Sequence, residues 1–367
     1  MAKRIFIAAT MQNDGKTTVS LGLTAALKKY FKKISFIKPI GQRYLIEQGY
    51  KVDEDSVLIE AVFGIKCNEC NIKDMSPIAI EKGFTERYIE NGPKEDYAAG
   101  IKKAYEHVAS GSDLVIIEGT GHAGVGSVFD LSNATVAKLL NANVILISSG
   151  GIGRPIDEIC LNKALFDRES VNIAGVIINK VLPEKFAKTS RLVKMGLEKK
   201  SLSMLGALPY QKILDTPTMR EIKEEVGIDL LYEGANLDEL AEQILIGAMR
   251  VRDALNFIKN NTLMIIPGDR DDMIKAVCDL HMGKLRRKTR IAGMILSGGL
   301  MPKGWTLNFV KQSKIATLVT KEDTYSIASR IHHIIVKIHP QDTSKIKAVV
   351  DMVEKYVDID KILAALV

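Results

Sequence analysis

Apolar residues run continuously along this chain at regular intervals, where a half-exposed strand would alternate. The runs are Ile5–Ala9, Ile34–Lys38, Asp113–Glu118, Asn143–Ser148, Asn172–Asn179 and Leu205–Leu208. Continuous runs of this length fit strands covered on both faces of a parallel sheet. Segments with helical spacing lie between them. The alternation predicts an α/β fold with a doubly wound, mostly parallel sheet. Ligands in such sheets gather at the carboxyl ends of the strands. Here those ends are small or polar: Thr10 to Asp14, Lys38-Pro39-Ile40-Gly41, Glu118-Gly119-Thr120-Gly121, Ser148-Ser149-Gly150-Gly151, Asn179-Lys180 and Pro209-Tyr210. A wet crevice along one edge follows.

Further on, Leu237 to Ile258 has apolar residues at three- and four-residue spacing and predicts a helix. A second alternation follows: strand Thr262–Pro267, helix Asp272–Leu280, strands Ile291–Leu296 and Ile315–Val319, helices Thr324–Ile335 and Ser344–Tyr356. The expected organisation is a first domain over 1–215, a linker with a helix over 216–248, and a second, smaller α/β domain over 249–367.

The first strand–helix junction carries the clearest chemistry. Ile5–Ala9 leads into a short polar loop, then Gly15-Lys16-Thr17-Thr18, then a helix from Val19 to Tyr30. A loop of this kind holds phosphates through backbone N–H groups and the positive helix end. Its Lys reaches the outer phosphates and its hydroxyl ligates Mg²⁺. The usual first glycine of the motif is replaced by Thr10. A P-loop NTPase domain binding ATP and Mg²⁺ is therefore expected, with Thr10, Asn13, Asp14, Gly15, Lys16, Thr17 and Thr18 around the nucleotide. Glu118 ends a buried strand, where nucleotide hydrolases place an acid for Mg²⁺. Lys38, at another strand end, can neutralise a phosphate or carboxylate. Asp53, Glu54 and Asp55 offer carboxylates for a cation, or equally a solvated helix start.

Composition changes this picture little. The 367 residues, 46% hydrophobic and 26% charged, suffice for two ordinary globular cores. Net charge is +7, with a basic stretch at Lys284–Arg290. Aromatics are only 6% and no recognition motif accompanies that stretch, so a solvated loop is expected and nucleic acid is not. No apolar run approaches a membrane span. The first residues run straight into a strand, so a cytoplasmic protein without a secretory leader is the expectation. Cys67 and Cys70 form a C-x-x-C, but Cys160 and Cys278 are isolated, so reduced thiols are expected in place of a zinc site.

Residues 1 to about 210 resemble dethiobiotin synthetase, through the loop Thr10–Thr17, Lys38-Pro39, Asp55, Glu118-Gly119-Thr120-Gly121 and Asn179 at a strand end. The resemblance implies that Lys16 contacts the β- and γ-phosphates, and that Thr17, Asp55 and Glu118 hold Mg²⁺. It also implies that Lys38 faces a substrate carbamate and that Asn179 reads the adenine edge. Lys16, Lys38 and Glu118 would then be the catalytic set. A closer similarity is to the dethiobiotin-synthetase-like N-terminal region of long bacterial phosphotransacetylases, through TVSLGL at 18–23, KPIGQ at 38–42 and the EG…LNANVILISSGG pattern at 118–151. That architecture continues into a DRTGG domain. Pro267-Gly268-Asp269-Arg270-Asp271 and Ser297-Gly298-Gly299 are similar to its signature, with Asp271 in place of Thr. The chain ends at Val367, where the acetyltransferase domain of those proteins begins, so acetyl transfer is not expected. Gln12-Asn13-Asp14 and Ile40-Gly41-Gln42 depart from the synthetase pattern, and a diamine pocket is not expected either.

Similar P-loop proteins place the nucleotide near a two-fold interface, which implies a homodimer. The glycine-rich segment Gly119–Asp130 is then a flexible lid or an interface segment, bringing His122 and Asp130 toward a substrate. Three functions stay open: a nucleotide-dependent regulator with slow ATP hydrolysis and a regulatory second domain, an ATP-dependent ligase or carboxylase acting on a small amine or carboxylate, and a non-catalytic nucleotide-binding protein. A small-molecule substrate or effector is expected; its identity is not readable.

Overall fold

The computed structural model describes residues 2–65, 71–232, 235–285 and 287–366. The Cys67–Cys70 pair lies outside the described residues. The chain divides into two compact units: Met1–Tyr210 with Ile338–Val367, and Gln211–Lys337.

Unit 1 is built on six parallel strands: β1 (Lys3–Ala9), β2 (Ile34–Ile37), β5 (Leu114–Glu118), β6 (Val144–Ser149), β7 (Ile173–Val181) and β8 (Met204–Pro209). They lie in the order β8-β7-β6-β1-β5-β2. Each of the first six apolar runs named above is one of these strands, and apart from the half-buried Ile173 their Ile, Val and Leu side chains are buried, because helices cover both faces. Helix α1 (Lys16–Leu27) follows β1. Between β2 and β5 comes an antiparallel hairpin, β3 (Tyr44–Glu47) and β4 (Tyr50–Asp53), and then α2 (Glu54–Phe63). The Asp53 side chain accepts a hydrogen bond from Asp55 N and caps α2. Helix α3 (Gly153–Arg168) connects β6 to β7.

Unit 2 opens with α4 (Met219–Val226), closed by a capping box in which Thr218 and Glu221 bond reciprocally. Its sheet has five strands: β9 (Asp229–Leu230), β10 (Gln243–Ile246), β11 (Thr262–Pro267), β12 (Ile291–Ser297) and β13 (Thr317–Val319). The order is β9-β13-β12-β11-β10, parallel except for β9. Helices α5 (Asp271–Met282), α6 (Gly304–Ser313) and α7 (Thr324–His332) complete it. The helix expected over Leu237–Ile258 is absent. Residues 243–246 pair with β11 as an edge strand, and only Val251–Ala254 is helical. Three consecutive apolar residues, Ile244 to Ile246, satisfy either spacing, and the vacant edge beside β11 decides.

The chain then returns to unit 1 with α8 (Thr343–Tyr356) and α9 (Ile359–Ala365). This differs from the expected second domain of 249–367. Helix α8 buries Lys345, Val349, Met352 and Val353. It lies so close to α1 that a Cβ on Gly22 would stand 2.3 Å from Val353 Cγ2. Helical periodicity shows that such a face is buried but not which sheet it covers. Among the described residues no helix is long and apolar enough to cross a membrane.

Candidate functional site

The loop between β1 and α1 is shaped from within. Asn13 and Gly15 both have positive φ, 66° and 96°. At Gly15 a side chain is excluded twice over, since a Cβ would stand 2.1 Å from Asn179 Nδ2. The Asp14 carboxylate folds back into the loop: Oδ2 accepts from Met11 N at 2.8 Å and lies 2.8 Å from Thr10 Oγ1, and Oδ1 accepts from Ser149 Oγ. Thr10 Oγ1 also lies 2.9 Å from Ser148 Oγ. Asn179 donates to Asp14 O at 2.9 Å and accepts from Lys180 N at 2.8 Å. Thr10, Asp14 and Asn179 thus brace the loop from below, while Asn13 is exposed. Helix α1 begins with no side-chain cap and no acid in its first turn, which leaves its positive end to an outside anion. Lys16, Thr17 and Thr18 stand in that turn.

A charged cluster lies beside it. Thr17 Oγ1 donates to Glu118 Oε1 at 3.2 Å. The Lys38 ammonium bonds Asp55, lies 2.9 Å from Asp53 Oδ1 and 3.8 Å from Glu118 Oε1. The predicted trio Thr17, Asp55 and Glu118 is therefore brought together, with Lys38 among its carboxylates. Lys16 Nζ donates to Gly121 O at 3.1 Å. Burial raises the Glu118 carboxyl to about 8, and the neighbouring Asp55 charge adds to the rise. Burial works against the Lys38 charge, but Asp55, Asp53 and Glu118 outweigh it and hold that ammonium above its ordinary value. Burial opposes the Asp55 charge too, and Lys38 more than compensates, keeping Asp55 low. Lys16 is lowered, by burial first. Two buried carboxylate oxygens, Asp53 Oδ2 and Glu118 Oε2, have no hydrogen-bond partner. Unsatisfied buried acceptors beside a hydroxyl are a donor set that suits a hard cation. Among the described residues no group of three or more His, Cys, Asp or Glu is arranged to hold a metal on its own; Mg²⁺ commonly takes one or two carboxylates and fills its shell with water and phosphate oxygens.

The Gly119–Asp130 segment is tied down more firmly than its glycines predict. Asn133 accepts from Thr120 N and donates to Thr120 O and His122 O, and Asn162 accepts from Ala123 N while donating to Thr10 O. Both asparagines are buried. Their helices carry no motif, which is why sequence reasoning missed them. A polar residue at an apolar helix position was the only available signal. Asp53 was legible only as one of three neighbouring acids.

In unit 2 the signature residues serve the fold. Arg270 pairs with Asp272 and donates to Gly247 O and Met249 O. Asp271 accepts from Thr306 Oγ1 at 2.5 Å and from Lys303 N. Gly298 and Gly299 bond back to Glu322 O and Thr320 O, as a glycine turn does.

A family model described as "AAA domain" matches residues 3–218, and one described as "DRTGG domain" matches residues 221–334. Both spans end before residue 338, as unit 2 does. The phosphate acetyltransferase of Nitratidesulfovibrio vulgaris is 26% identical over 381 residues, covering 100% of this chain and 52% of the relative. That of Pseudomonas putida is 27% identical over 372 residues, covering 96% and 50%. The chain spans about half the length of the curated relatives it matches. Among solved structures, the MinC:MinD cell division protein complex of Aquifex aeolicus is 14% identical with a TM-score of 0.37, over 58% of this chain and 84% of that one.

Proposed function

The chain belongs to the AAA domain family, and from that premise we propose that unit 1 binds ATP with Mg²⁺ and acts as a nucleotide-dependent regulator with slow hydrolysis. The observation that carries this reading is the uncapped start of α1, with Lys16, beside the Thr17–Asp55–Glu118 cluster. Backbone N–H groups of the loop and first turn hold phosphate oxygens, and the positive helix end favours their charge. Lys16 leaves Gly121 O to reach the outer phosphates. Thr17, Asp55 and Glu118 would hold Mg²⁺, which when bound neutralises charge on the transferred phosphoryl group. Glu118 must ionise to do so, and the arriving charge drives that proton off. Asn179 supports Gly15 from below, and a second copy of the chain completes a dimer as in similar P-loop proteins.

The test is thermal melting with and without ATP and Mg²⁺. A ligand at about a hundredfold above its Kd stabilises the native state by about 2.7 kcal/mol, a rise of several degrees. Lys16→Ala abolishes the rise. An equal rise in that variant refutes the phosphate-loop assignment.

A second reading, the ATP-dependent ligase, draws on Lys38, whose ammonium is buried within reach of Glu118. It would grip a small carboxylate or carbamate. Phosphate release stimulated by candidate amines with bicarbonate selects the ligase, and slow unstimulated release selects the regulator. ATP binding without release leaves a binding protein.

A further inference from the structure

Unit 2 holds a second charged feature, away from its signature residues. The first residues of β12 and the segment entering β13 floor a cavity of about 340 Å³. Its walls carry His281, Lys288, Arg290 and Lys314, with Glu239 as the acid. It lies at the amino ends of these strands, opposite Ser297 and the Gly298-Gly299 turn.

The charges do not cancel. Glu239 is already engaged: Oε1 bonds Arg290 and accepts from Asn236 Nδ2 at 3.0 Å. The ammonium groups of Lys288 and Lys314 have no hydrogen-bond or ion-pair partner among the described residues, and both residues are exposed. His281 lines the same cavity. Its Nδ1 accepts from Ile291 N at 3.0 Å, so the neutral ring carries its proton on Nε2 and is a donor there. Burial, followed by the Lys288 charge, keeps that imidazole below its ordinary value and hence neutral near pH 7. The site therefore offers two uncommitted ammonium groups and one neutral N–H donor, over an apolar floor of Ile291 and Ile315.

We propose that this cavity binds a compact phosphate-bearing metabolite, with Lys288 and Lys314 on the phosphate and His281 donating to it. A phosphate monoester carries between one and two negative charges near pH 7 and three acceptor oxygens, which matches two ammonium groups and a donor. A carboxylate carries one charge and leaves an ammonium unanswered. The volume lies at the small end for ligand cavities, so the body beyond the phosphate is small. The basic stretch ending at Arg290 thereby gains a role beyond solvation.

The experiment is a calorimetric titration of the full chain carrying Lys16→Ala, which silences the loop of unit 1, with methyl phosphate as probe and acetate as comparison. One equivalent of methyl phosphate binds, and acetate binds more weakly. Adding Lys288→Gln and Lys314→Gln weakens the binding by about tenfold or more. Lys288→Arg with Lys314→Arg restores it, because charge is kept. Both positions are exposed, so each set should melt within about 2 °C of its parent. Absence of binding at millimolar probe, equal affinity in the Gln variant, failure of the Arg variant to restore binding, or acetate matching methyl phosphate each overturns the proposal.

Discussion

At the scale of single residues, Gly15 is tightly constrained within the phosphate loop. Its φ of 96° and the 2.1 Å approach of Asn179 Nδ2 leave no room for a methyl group. Gly15→Ala should cost more than about 1 kcal/mol in denaturant melts and remove the ATP-dependent rise in Tm. An unaltered rise would mean the loop has a second workable shape. Glu118 makes the pH prediction. Its folded-state value of about 8 stands well above the ordinary 4.5. Between those values the folded protein keeps a proton that the unfolded chain has lost. The stability this gives is full below pH 4.5 and is lost as pH rises through 8, at up to about 1.4 kcal/mol per pH unit. Asp53, raised by burial, acts in the same direction, and Lys16, lowered by burial, acts in the opposite one. Comparing Glu118→Gln with the parent by urea melts from pH 5 to 8, without nucleotide or Mg²⁺, isolates the Glu118 part. The variant's curve should be flatter; parallel curves would show that Glu118 is already ionised.

Among the elements, the contact of α1 with α8 decides most. Val353 is fully buried against Gly22. Val353→Ala should destabilise unit 1 by about 2 kcal/mol, from the lost methyl groups and the gap they leave. Gly22→Val should be worse, since the helices cannot separate without unpacking both. A melting temperature unmoved by Val353→Ala would show that α8 does not hold α1 down. This contact also marks the limit of what the sequence told. The six strands of unit 1 were legible because each is a continuous apolar run ended by Gly, Pro or a polar residue. Lys16, Thr17, Lys38, Asp55 and Glu118 were legible because they sit at those ends, and the fold brings them together. The placement of α8, the edge strand at 243–246 and the asparagines under the Gly119–Asp130 segment were not. Each depends on a partner more than ten residues away, which local spacing does not encode. The Lys288–Lys314 cavity was hidden for the same reason: its two ammonium groups come from different connections of the sheet.

For the whole molecule, the contiguous run 211–337 should fold without unit 1, whereas fragment 1–215 should not be stable, because it lacks the cover that α8 and α9 give. Circular dichroism melts of the two fragments check this. A cooperative melt of 1–215 at the parent's temperature would refute it, and adding residues 338–366 as a separate peptide should restore stability in the predicted case. The division of the chain also has a temporal consequence. A ribosome releases 1–210 first, then all of unit 2, and only then the helices that close unit 1. At roughly 5–20 residues per second, the phosphate loop waits on the order of ten seconds with the outer face of α1 uncovered. During that interval unit 2 can finish folding. A chain caught in that interval presents the Gly22 face of α1 that Val353 later covers, so unit 1 stays open to non-native contacts until α8 and α9 emerge.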